Sequence, residues 1–250
     1  MTVDTSLTIA LFLAVVLSGL HLAAPRIERL PLVPERAMGS LAGGVSVAYV
    51  FLHLLPELSE GNIGIAEALD DQITLTPLVD LGIFLIALTG FVTFYALESL
   101  AERRTRGAEA PAAIFYLHLG AFAVFNALIN YTMPLRLRTG AIFATLFTIA
   151  MGLHFILTDR ALREHYPVRF RRFGRPVLVA ALIAGWIAAV AASPTKTLVV
   201  SILTAFVGGS VLLNVFKQEL PAGRSSSFGW FFGGVAVYAV ILSAVTAYES

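Results

Sequence analysis

Met38-Gly-Ser-Leu-Ala-Gly-Gly-Val-Ser-Val-Ala-Tyr-Val-Phe-Leu-His-Leu-Leu-Pro-Glu57 holds no Lys, Arg, Asp or Glu before its final carboxylate. About 20 helical residues cross the roughly 30 Å hydrocarbon core of a bilayer, so this stretch has the length and polarity of a membrane span. Seven more runs of the same kind flank it, and together the expected spans are 7–25, 38–56, 76–98, 112–133, 139–158, 176–193, 197–217 and 228–247. Pro, Gly or clustered charge interrupts them, at 25–35, 56–76, 101–111, 134–138, 159–176, 193–196 and 217–227. Composition agrees. The 250 residues are 58% apolar and 13% charged, where a soluble domain carries roughly 25% charged residues, and the mean hydropathy is +0.83. A soluble enzyme, a disordered chain and a nucleic-acid binder are therefore excluded. The reading is an all-α integral membrane protein, residues 1–250 forming one polytopic domain.

The first run follows Asp4 with no preceding Lys or Arg, so it lacks the basic start of a cleaved signal and is read as a retained span. Cysteine is absent, which removes disulfides, thiolate ligands and cysteine nucleophiles. Basic residues alternate from loop to loop. Arg26, Arg29, Arg36, Arg103, Arg104, Arg106, the six Arg from Arg160 to Arg175, Lys217 and Arg224 make 14 of the 17, and only Arg136, Arg138 and Lys196 lie in the other loops. Lys and Arg are retained on the cytoplasmic side during insertion. Both termini should then face outside, in the cytoplasmic membrane.

An offset of 165 residues lays the second span on the seventh. It pairs Gly43, Gly44, Val50, Phe51, Leu55 and Pro56 with Gly208, Gly209, Val215, Phe216, Leu220 and Pro221. The copies are offset by five helices, an odd number, so they cross in opposite directions, the plan of many secondary transporters whose site lies near the midplane. Small residues at a packing face explain the same glycines without a repeat.

Polar groups inside spans are costly and point to function. His53 and Glu57 lie four apart on one helical face, with Pro56 expected to close the helix, and suit a divalent cation or a proton relay. Asn126 and Asn130 form a second such pair, with His118 on the same side, although buried amides often only join helices. The fifth span carries Thr145, Thr148, His154, Thr158 and Asp159, with His154 as the histidine placed well inside a span and Asp159 where the helix leaves the membrane. Asn214 and Gln218 close a thin polar seam through spans four, five and seven, with no carboxylate expected near the midplane. The stretch from Glu57 to Asp71 holds Glu57, Glu60, Glu67, Asp70 and Asp71 without a basic residue. The six Arg after Asp159, interleaved with Tyr166, Phe170 and Phe173, suit anionic headgroups. Phosphate-binding loops, His-Glu-x-x-His and Gly-x-Ser-x-Gly are absent, so an enzyme is not expected.

Gly39-Ser-Leu-Ala-Gly-Gly running into Phe51-Leu-His-Leu-Leu-Pro-Glu57, the third-span end Leu97-Glu98-Ser-Leu, and Ala205-Phe-Val-Gly-Gly-Ser-Val-Leu-Leu-Asn-Val-Phe-Lys-Gln-Glu-Leu-Pro221 resemble the ZIP family of zinc and iron permeases. The resemblance implies eight helices with helices 1–3 inverted against 6–8, and transport of zinc or iron. It departs from the family at the ligands. The fourth-helix His-Asn-x-x-Asp/Glu-Gly motif falls on Phe125, Asn126, Ile129 and Asn130, and the fifth-helix His-Glu-x-Pro-His-Glu motif on His154, Phe155, Leu157, Thr158 and Asp159. The expected metal set is His154 and Asn126 at the centre, Asp159 at the inner exit, and His53 with Glu57 near the outer end. Asn130, Asn214, Gln218 and His118 line the expected pathway. No cofactor is expected beyond zinc or iron as cargo, and the partners are the bilayer, a divalent metal and a second copy forming a homodimer. Two alternatives stay open: a ZIP-fold protein that has lost metal transport and serves as an interaction partner or sensor, and a permease for another small solute.

Overall fold

The computed structural model describes residues 1–27, 35–61, 81–104, 111–192, 197–219 and 227–249. Eight helices among them are long and apolar enough to cross a membrane: α1 Val3–Ile27, α2 Gly39–Gly61, α3 Gly82–Leu100, α4 Ala112–Thr139, α5 Ala141–His165, α6 Pro167–Ala192, α7 Leu198–Lys217 and α8 Phe228–Ala247. No strand occurs among the described residues. About 61% of α2 and of α7 is buried, against 17% of α8. Thus α2, α4, α5 and α7 form the interior, and α1, α3, α6 and α8 turn Phe12, Leu88, Ile187 and Val240 outward. In a bilayer such residues face lipid, where they are as well solvated as in a core.

Several expected boundaries move, each for a local reason. α2 does not stop at Pro56; it runs on to Gly61 after widening to a π-helical turn over Val50–Leu54, where the Leu55 N–H donates to the Val50 carbonyl. Further π-helical turns cover Phe170–Gly174 and Val215–Glu219. Each ends two residues before a proline, Pro56, Pro176 or Pro221. Proline lacks the N–H that would close the preceding turn and its ring crowds the carbonyl four residues back, so a wider turn upstream relieves both. α4 likewise passes through Pro134 to Thr139 instead of ending at Met133. Neighbouring helices tolerate such a proline within a membrane. The interruption expected over 159–176 is helical up to His165, and α6 resumes from Pro167. The start of the third span at 76–80 and the acidic residues Glu67, Asp70 and Asp71 lie outside the described residues.

Glycine decides how closely the helices cross. A Cβ on Gly44 of α2 would overlap the Phe231 carbonyl oxygen of α8, and one on Gly234 would overlap that of Leu41. On the other side, a Cβ on Gly209 of α7 would overlap the Ala87 carbonyl oxygen of α3, and one on Gly90 that of Phe206. The two crossings correspond residue for residue, at separations of 165 from α2 to α7 and 144 from α3 to α8. The π-helical turns at Val50–Leu54 and Val215–Glu219 obey the same 165-residue separation. α6 packs on α4 in the same intimate way, with Gly185 against the Ala127 carbonyl.

Candidate functional site

Three polar clusters lie within this apolar frame. The central one joins four helices. His21 of α1 donates from Nδ1 to Asp159 Oδ1 of α5 at 2.9 Å, while its Nε2 lies 3.0 Å from Asn126 Nδ2 of α4. Arg175 of α6 places its Nε 3.4 Å from Asp159 Oδ2. That contact is ionic without hydrogen-bond geometry, since neither atom has a hydrogen-bond partner. Asp159 is 0% exposed and His21 1%. The His21 ring stacks on Phe155 at 4.6 Å between centroids. Isolated carboxylates this deep are strongly destabilised, so the adjoining guanidinium is what makes Asp159 tolerable there.

The second cluster sits where α2 and α4 end. Arg136 donates from Nη1 to Glu57 Oε1 and from Nη2 to Thr204 Oγ1 at 3.0 Å, with its guanidinium 4.3 Å from the Phe147 ring centroid. Beside it opens a cleft of about 420 Å³ lined by His53, Glu57, Glu60, Arg136, Thr139 and Phe143 among others. At the opposite end of α4, Glu98 of α3 lies 3.3 Å from His118 Nε2 and 3.7 Å from Lys217 Nζ. His118 Nδ1 is 3.2 Å from the Tyr166 hydroxyl. A cavity of about 10 Å³ lies there, lined by Glu98, His118, Thr158 and His165 with Phe122, Ala161 and Leu162.

Among the expected site residues, Asn126 and Asp159 come together, but through His21. His154 instead lies 3.4 Å from Thr158 Oγ1, with its ring against Phe125 and Phe155. Asp159 is buried in the central network, and α5 continues past it to His165. His154 is also not the sole deep histidine, since His21 is equally buried. His53 Nε2 stays 3.9 Å from Glu57, beyond hydrogen-bond range, and Glu57 is held by Arg136. Asn130 donates to the Leu182 carbonyl at 2.9 Å, and Asn126 reaches that of Leu178 at 3.5 Å, so the amide pair fastens α4 to α6. Thr145 and Thr148 bond back to their own helix at Ala141 and Ala144, and Thr148 also reaches Met133 Sδ of α4 at 3.9 Å. Asn214 is buried, and the Gln218 side chain lies outside the described residues.

His21, Arg175 and Arg136 join these clusters without being expected there. Arg136 carried a signal: it is one of three basic residues on the side of the chain where Lys and Arg are scarce. Arg175 was hidden among neighbouring arginines that serve topology. Among the described residues, no three His, Asp or Glu side chains are grouped to hold a metal ion. The carboxylates of the three clusters, Glu57, Glu98 and Asp159, each have a Lys or Arg partner from another helix. Comparison with known families, with curated proteins and with solved structures finds no match for this chain.

Proposed function

We propose that the chain is a membrane permease of the inverted-repeat plan, ZIP-like in outline, in which its own Arg175 guanidinium takes the place of a metal ion beside Asp159. Its cargo is a small solute other than a bare divalent cation. The observation that carries this reading is the engagement of both Asp159 oxygens, Oδ1 by His21 and Oδ2 by Arg175. Zinc held there would have to displace a fixed positive charge as well as lose its water. The matched glycine crossings and π-helical turns support the part of that repeat that relates helices 2 and 3 to helices 7 and 8. The loop-to-loop distribution of arginine supports both termini outside a cytoplasmic membrane.

Proteoliposomes containing a zinc-sensitive dye test the proposal. Zinc and iron entry should match that of protein-free vesicles. Entry that depends on the wild-type chain and disappears with Asp159→Asn would overturn it. A second reading, divalent-metal permeation by exchange with Arg175, is favoured by one feature: His21, Asn126 and Asp159 already converge within hydrogen-bond distance. In that case entry should also fall with His21→Ala.

A further inference from the structure

We propose that His118, together with Glu98, is a proton-binding site that draws one end of the bundle closed when the proton is bound. The site lies where α3 and α7 end and α4 begins, and it stands whether or not the chain carries a solute.

The hydrogen-bond partners of His118 suit two protonation states. Its Nε2–H faces the Glu98 carboxylate at 3.3 Å, and Nδ1 faces the Tyr166 hydroxyl at 3.2 Å. A hydroxyl can donate to a bare imidazole nitrogen or accept from a protonated one, so either state is satisfied by a rotation of one O–H bond. Tyr166 keeps that freedom, because burial and the Glu98 carboxylate push its phenol up to about 12. His21 is placed differently: its Nε2 faces the Asn126 amide, which is directed also at the Leu178 carbonyl, and no hydroxyl adjoins it.

Access and consequence both follow from the neighbours. The cavity of about 10 Å³ touching Glu98 and His118 is about what one water needs, and it has several polar partners to offer. Facing the pair among the described residues are the charged or titratable groups Lys217 of α7 and His165 and Tyr166 at the end of α5. With the proton bound, two cations hold Glu98 and tie α3 to α4 and α7. Without it, His118 offers only a neutral hydrogen bond, roughly half as strong as a charge-assisted one, and Lys217 holds the carboxylate alone.

The absence of cysteine permits a direct test on the full chain in lipid nanodiscs. Ala161→Cys reports on this cavity and Thr139→Cys on the opposite cleft. The ratio of their labelling rates by a small thiol reagent removes the shared rise in thiolate. As pH is raised the ratio should rise and then level off, by at most tenfold per pH unit, the limit for one linked proton. In His118→Arg it should be low and flat, and in His118→Gln high and flat, with Thr139→Cys labelled at its usual rate in both. A flat ratio in the otherwise unaltered chain overturns the proposal even if the His118 variants fail to fold. A rise that persists in His118→Gln overturns it as well.

Discussion

The two ends of α4 hold neighbouring carboxylates with different cations. At one end Arg136 grips Glu57; at the other His118 grips Glu98, with Lys217 in support. Guanidinium stays charged at every relevant pH and spreads several donors over a fixed plane. Imidazole gains or loses its charge near neutrality. The same helix therefore carries a permanent fastening and a releasable one, 18 residues or about 27 Å apart at 1.5 Å per residue. The central Arg175–Asp159 contact belongs with the permanent kind.

The contrast can be broken most severely at the centre. Arg175→Ala leaves Asp159 wholly buried beside His21 alone and should destabilise the chain by about 3–5 kcal/mol, seen as a lowered unfolding midpoint in detergent. Arg136→Ala should cost less, about 2 kcal/mol, because Glu57 is 30% exposed and water can partly replace the lost partner. A sharper test exchanges the chemistry. Arg136→His should make the Glu57 end respond to pH, retaining the pair at low pH and losing about 1 kcal/mol as pH rises through the imidazole range, whereas Arg136→Lys should not. His118→Gln comes next, at about 1 kcal/mol and only at low pH, since Lys217 continues to hold Glu98. Thr145→Val should stay within about 0.5 kcal/mol, as this exposed hydroxyl bonds only to its own helix. An effect of Thr145→Val as large as that of Arg136→Ala would mean that fastening has been assigned to the wrong residues.

Much of the frame was legible in the sequence because lipid imposes a simple rule: an apolar run of sufficient length becomes a helix. All eight helices could be placed on that basis. The ends were harder to read. Pro56 and Pro134 look like stops, yet both sit inside helices, where a π-helical turn or a neighbouring helix accommodates the missing hydrogen bond. The candidate site was legible in halves. Asn126 and Asp159 stand out as polar residues in apolar runs, but their partners come from α1 and α6, at the other end of a 138-residue separation in the case of His21. Spacing within one helix carries no information about such a pair. Basic residues posed the opposite difficulty: arginine that directs insertion and arginine that neutralises a buried carboxylate are the same residue type, and only three-dimensional proximity separates Arg175 from Arg171.

Zinc titration by calorimetry on the purified chain, set beside Arg175→Gln, tests the central claim that the protein's own cations fill the positions a metal would need. The wild-type chain should give no saturable heat, and Arg175→Gln should gain a zinc site that Asp159→Asn abolishes in the double variant. Stoichiometric zinc binding by the wild-type chain, lost on Asp159→Asn and unchanged by Arg175→Gln, would contradict it.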